Sequence, residues 1–168
     1  MPGNAGKCAS QARPAASYGR MEINGIAHVI LTVRDMTASR PFYRALLAHL
    51  GLSEVVNADA YLYYVGGRTA VGIRPAAPSL AEHRFDQERC GLHHVCFRAR
   101  SREDVDSVFA LVSRLGATIV HPPEDGPWVP GYYSVLFEDP DGIRLEVNHV
   151  PGKGVFEPGV KRSDAAGA

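Results

Sequence analysis

The segments GIAHVILTV at 25–33 and GLHHVCFRA at 91–99 carry Gly, His and an alternating apolar run in the same register. A chain that writes one strand twice is expected to fold as two copies of one unit, and the residues after each copy bear the same pattern. The first predicted strand, 26–33, is followed by a helical stretch at 36–50. There Phe42, Leu46, Leu47 and Leu50 recur at spacings of three and four, and Gly51 supplies a C-cap. The second, 92–99, leads into a helix at 102–115, opened by the capping-box-like run Ser101 to Asp104. That helix carries Val105, Val108, Phe109, Val112 and Leu115 on one face and ends at Gly116. Three more strands are predicted after each helix, at 53–57, 61–65 and 69–74 and again at 117–121, 132–137 and 143–149. Gly66-Gly67 and Pro140-Asp141-Gly142 mark the turns between the last two of each set. Each half therefore reads βαβββ.

The expected fold class is α+β, two βαβββ modules in tandem whose sheets curl into a cup with helices on the outer face. Module one spans 23–75, a linker with room for a short helix 76–90, and module two 91–150. Residues 1–20 show no hydrophobic period and read as a flexible N-terminal extension. Residues 151–168, rich in Gly and Pro, read as a loosely packed tail. With 18 basic against 18 acidic residues, charge gives no support to a nucleic-acid or anionic-membrane partner. No apolar run approaches the ~20 residues of a membrane helix. The first twenty residues lack the apolar block of a secretory signal, so a cytoplasmic location is expected. Cys8, Cys90 and Cys96 are odd in number and lack CxxC spacing, against both a disulfide framework and a zinc knuckle.

Strand alternation sorts these residues by face. Val29, Leu31 and Val33, then Val95, Phe97 and Ala99, then Ile143, Leu145 and Val147 suit packing under the helices. The opposite faces carry Ile26, His28, Ile30 and Thr32, then Leu92, His94, Cys96 and Arg98, then Arg144, Glu146 and Asn148. Parity selects His94 over its neighbour His93. If the two sheets curl toward each other, His28, His94 and Glu146 project into one concavity. Two imidazoles and a carboxylate are the donors of a facial triad that binds a divalent first-row ion and leaves positions open. The plainer role for Glu146 is a same-face ion pair with Arg144.

The doubled module, the strand-borne His-Val pairs at 28–29 and 94–95, SRPFYRALLAHLGL at 39–52 and FEDPDGIRLEV at 137–147 together resemble the vicinal oxygen chelate superfamily. This is the glyoxalase, bleomycin-resistance and extradiol-dioxygenase group. The resemblance covers roughly residues 23–150 and is most specific at the DPDG-x-x-x-E ending. It implies one divalent metal ion (Zn, Ni, Mn or Fe) held by His28, His94 and Glu146, a small-molecule substrate bound in the cup, and a homodimer. The family's remaining ligand position falls in TAVGIRP near Ile73, where none of Gly72, Ile73 and Arg74 is a usual ligand. That departure tells against glyoxalase I and methylmalonyl-CoA epimerase activities.

Tyr63, Tyr132, Tyr133 and Trp128 are candidates to line the substrate pocket, against a plain core role. Arg98 faces the concavity and calls for an anionic partner, a substrate carboxylate or Glu138. Cys96 reads as a small buried hydrophobe, with a reactive thiol as the rival. His121 precedes Pro122-Pro123 in an expected rim loop. The expected function is that of a metal-dependent lyase, isomerase, thiol transferase or dioxygenase. The alternative is a metal-free module that sequesters a drug or metabolite in the same cup.

Overall fold

The computed structural model describes residues 22–153; the extension read at 1–20 and the tail beyond 153 lie outside the described residues. Module one comprises strand β1 (Val29–Val33), helix α1 (Met36–His49) and strands β2 (Ser53–Ala58), β3 (Tyr61–Gly66) and β4 (Thr69–Pro75). A single 3-10 turn, Pro78–Leu80, occupies the linker. Module two repeats the order with β5 (Val95–Arg98), α2 (Arg102–Arg114), β6 (Thr118–Asp125), β7 (Tyr133–Glu138) and β8 (Arg144–His149). The sheets are ordered β1-β4-β3-β2 and β5-β8-β7-β6, with the first and last strands of each module parallel and the rest antiparallel. The fold is α+β, two tandem βαβββ modules. Among the described residues no helix is long and apolar enough to cross a membrane.

The two modules use the same devices in the same places. Asp35 caps α1 by accepting from the Thr37 amide, and Ser101 and Asp104 form a reciprocal capping box on α2. Both helices end in a Schellman motif: Leu52 N–H donates to Leu47 O and Gly51 N–H to Ala48 O, matched by Ala117 to Val112 and Gly116 to Ser113. The alternation read from the sequence holds. Leu31, Val33, Leu145 and Val147 are buried beneath the helices with Leu46, Leu47, Val105, Val108 and Val112 in one continuous core, and Val29, Val95 and Phe97 pack against it.

One strand differs from its sequence reading. β6 does not stop at His121 but runs on through Pro122 and Pro123 to Asp125, so these residues form a strand rather than a rim loop. β6 is a sheet edge, and its register slips between Ile119 and His121 and between His121 and Glu124. Prolines are tolerated where a strand has a free edge and a broken ladder.

The modules are joined by side chains at the DPDG turn rather than by strand pairing. Asp139 is buried and accepts three bonds, from the Tyr43 hydroxyl at 2.7 Å and from the amides of Asp141 and Ile143 at 2.8 Å each. Asp141 in turn receives the Arg34 amide and its Nε, both at 2.7 Å. Tyr43 and Arg34 belong to module one, so the turn before β8 locks onto the first helix and the end of the first strand. Burial raises the pKa of both Asp139 and Tyr43, and their contact raises that of the phenol further. Asp139→Ala strands a buried hydroxyl and two amides, and should lower stability by about 2–4 kcal/mol; Tyr43→Phe removes one bond and should cost about 1 kcal/mol. Urea denaturation of the two variants against wild type checks the ranking.

Candidate metal centre

His28 and His94 each stand immediately before the first residue of their strand, so the repeat is kept to the residue. The parallel pairing of β5 with β8 sets Cys96 opposite Glu146, and the antiparallel pairing of β7 sets Leu136 there too. His94, two residues before Cys96, falls on the same face. Its Nε2 lies 3.2 Å from Glu146 Oε2. The other carboxylate oxygen, Oε1, accepts the Tyr132 hydroxyl at 2.6 Å. Glu146 is 8% exposed. Burial pushes its pKa up, but hydrogen bonds from His94, Tyr132, Ser134 and Cys96 outweigh burial and bring it down to about 2. A carboxylate fixed in mid-strand is thus held ionised by four neighbours.

His94 has a second partner: its Nδ1 lies 2.8 Å from His93 Nδ1, with the rings edge-on. In a neutral His94 that donates through Nε2, Nδ1 is the acceptor and His93 the donor. Cys96 is exposed rather than the buried hydrophobe expected, although partial desolvation of its sulfur and then the Glu146 charge raise the thiol pKa. Desolvation and the bond to Glu146 likewise raise the Tyr132 phenol.

His94 and Glu146 fit a divalent ion. Two donors each about 2.0–2.2 Å from one cation sit about 3.0–3.5 Å apart at ordinary coordination angles. The 3.2 Å between Nε2 and Oε2 is in that range. His28 is exposed, and among the described residues no group of three or more His, Cys, Asp and Glu side chains is arranged to hold an ion. The chain therefore brings two of the three expected donors together and leaves the third apart.

The remaining ligand position is located by register. Ile30, second in β1, pairs with Gly72 just as Cys96, second in β5, pairs with Glu146, so Gly72 rather than Ile73 is the module-one counterpart of the glutamate. Ile73 is fully buried in the core. A Cβ on Gly72 would meet the Tyr63 ring at 2.8 Å and Ile30 Cδ1 at 3.0 Å. The space a ligand would need is filled by module one's own side chains.

The other expected site residues divide. Tyr63 stacks on Tyr61 with ring centroids 5.7 Å apart, on the face shared with Gly72 and Ile30. Trp128 lies exposed in the β6–β7 loop beside Gly126. Tyr133 is a correction: its hydroxyl donates to Asp106 of α2 and the Arg102 guanidinium covers its ring, so it stands on the helix side and not in the concavity. Strand parity requires this, because Tyr132 and Ser134 take the other face. Arg98 is a second correction. Its guanidinium donates to the backbone carbonyls of Val150, Gly152 and Lys153 rather than to an anion. Glu138 pairs with Arg144 instead, at 3.4 Å, which also removes Arg144 as the partner of Glu146. Ser134 was not among the expected site residues, although its parity with Tyr132 and Leu136 marks it.

The family model for the Glyoxalase/Bleomycin resistance protein/Dioxygenase superfamily matches residues 25–147. The chain belongs to this superfamily. It is 31% identical over 124 residues to the uncharacterized protein YqjT of Bacillus subtilis (strain 168), covering 71% of this chain and 94% of that one. It is 28% identical over 109 residues to a 2,2',3-trihydroxybiphenyl dioxygenase of Sphingomonas paucimobilis, covering 58% of this chain but only 32% of the dioxygenase. Among solved structures, a glyoxylase/bleomycin resistance protein/dioxygenase domain from Frankia sp. EAN1pec superposes with a TM-score of 0.60 at 27% identity. That match covers 76% of this chain and 98% of the domain.

The depressed pKa of Glu146 has a consequence for acid stability. A carboxylate whose folded pKa lies below its ordinary 4.5 contributes stability above that value and loses it as pH falls toward about 2. In chelator-treated protein, the stability advantage of wild type over Glu146→Gln should be constant above about pH 5 and shrink across this window. Thermal unfolding at stepped pH reads it, and a pH-independent difference would contradict the assignment.

Proposed function

We propose that the protein is a divalent-metal-dependent enzyme, a lyase, isomerase, thiol transferase or dioxygenase, acting on a small oxygenated metabolite in the concavity of its sheets. The observation that carries this reading is the His94–Glu146 pair, an imidazole nitrogen and an ionised, buried carboxylate oxygen at the spacing of two donors on one cation. A metal ligand must be deprotonated, and Glu146 is already ionised with one oxygen beside an imidazole nitrogen that could share the ion.

His94, Glu146 and His28 would hold the ion. Within one chain His28 does not join the other two, and β1 and β5 are both sheet edges. In this reading a homodimer completes the centre: module one of one copy lies beside module two of the other, and the partner subunit's His28 supplies the third donor. A divalent ion so held would lend Lewis acidity to two adjacent substrate oxygens. The chain's own side chains do the rest. Tyr132, Ser134 and Cys96 keep Glu146 oriented, and Tyr63 with Ile30 fills the place at Gly72 where module one would carry a ligand.

A metal-free binding protein of the bleomycin-resistance type is the second reading, favoured by the filled position at Gly72 and by the saturation of Glu146 with protein donors. Metal content of tag-free protein separates the two. The enzyme reading expects about one equivalent per chain, lost in His28→Ala, His94→Ala and Glu146→Ala alike. The shared centre makes a sharper prediction: mixed dimers of His28→Ala and Glu146→Ala recover one intact site of two, hence roughly half the metal. Centres built within single chains would recover none.

A further inference from the structure

The two oxygens of Glu146 are not equivalent. Oε2 faces His94 Nε2, whereas Oε1 is taken by the Tyr132 hydroxyl at 2.6 Å, the shorter of the two contacts. Tyr132 itself is 8% exposed and held from several sides. Its amide donates to Val129 O and its carbonyl accepts from Gly126 N–H, which folds the β6–β7 loop around it. Its ring lies against Gly126, where an added Cβ would come within 2.8 Å of Tyr132 Cδ1. It also shares a small apolar cluster with Val129 and Val150. Val150 belongs to the segment after β8 that Arg98 grips through three carbonyls, at 2.9, 2.7 and 3.2 Å. Arg98, the residue read from sequence as awaiting an anion, is thus the far end of a chain of contacts that ends on Glu146.

Resting on the metal reading, we propose that Tyr132 is a positioning residue that makes Glu146 a one-oxygen ligand. By occupying Oε1 it leaves Oε2, the oxygen beside His94, for the cation, and the Arg98-held segment keeps the phenol in place. A carboxylate free to offer both oxygens fills two coordination positions; one pinned at Oε1 fills a single position and leaves the other for substrate. Charge is unaffected, because the phenol donates a hydrogen bond and transfers no proton.

The test uses full-length protein stripped with chelator and titrated with cobalt(II) chloride, reading both affinity and the visible d–d absorption of the bound ion. Tyr132→Phe should bind cobalt about 10-fold or more weakly, as loss of a hydrogen bond to a ligand commonly does, and its d–d bands should shift as the second oxygen enters the coordination sphere. Arg98→Gln, with the phenol retained, should move both readouts the same way by a smaller amount. A Tyr132→Phe protein with wild-type affinity and an unchanged spectrum overturns this role while leaving the metal reading intact. A wild-type protein that takes up no cobalt overturns both. Circular dichroism and unfolding temperature of each variant guard against misfolding. A Tyr132→Phe protein that fails to fold hands the decision to Arg98→Gln, whose identity with wild type would reject the proposal.

Discussion

The structure depends on one buried carboxylate at the turn before β8. Asp139 holds Tyr43 of α1 on one side and two amides of its own turn on the other, while Asp141 two residues on takes the backbone and guanidinium of Arg34. Neither sheet shares a strand with the other, so the relative placement of the modules rests on these contacts and on the apolar core that surrounds them. The consequence for the site is direct. The same turn sets where β8 begins, and β8 carries Glu146. The aspartates of the chain's most conspicuous motif are therefore architectural, while its glutamate lies on the sheet face away from the helices.

The two modules share one pattern and differ in what they do with it. Register pairs Ile30 with Gly72 in one and Cys96 with Glu146 in the other. Module two sets an imidazole beside a buried, hydrogen-bonded carboxylate; module one has an exposed histidine and fills the equivalent place at Gly72 with Tyr63 and Ile30. A duplicated scaffold allows this because each module buries its own helix face. The opposite face is then free to change from polar to apolar without loss of the core.

The legible part of the fold is the part set by local forces. Helix boundaries, both C-caps, the N-cap of α2 and the strand faces were readable because Ser101, Gly51, Gly116 and the alternation of β1, β5 and β8 are local signals that tertiary packing reinforces. The pairing of His94 with Glu146 was readable for the same reason, through parity. What failed was the assignment of partners to polar side chains. Arg98, Arg144 and Glu138 all sit on strands of one sheet, and no spacing says which carbonyl or carboxylate each will reach; Arg98 went to backbone carbonyls beyond β8. Tyr133 follows from parity as well: Tyr132 and Ser134 take the face of Glu146, so Tyr133 turns to α2, where its hydroxyl reaches Asp106. The run of β6 through two prolines was hidden because a free sheet edge lifts the usual penalty.

His28 marks where reading by repeat reaches its end. Its register with His94 made the two histidines equivalent in sequence, and the fold keeps them equivalent, each just before its strand. Equivalence within modules does not bring them to one point, because the modules meet through the DPDG turn and the helices while β1 and β5 remain separate edges. A centre that needs both histidines must bring an edge of module one against an edge of module two, and the pairing that the chain itself omits is the one that a second copy can supply. The open edges β1 and β5 and the separation of His28 from the His94–Glu146 pair are thus two aspects of one geometric fact.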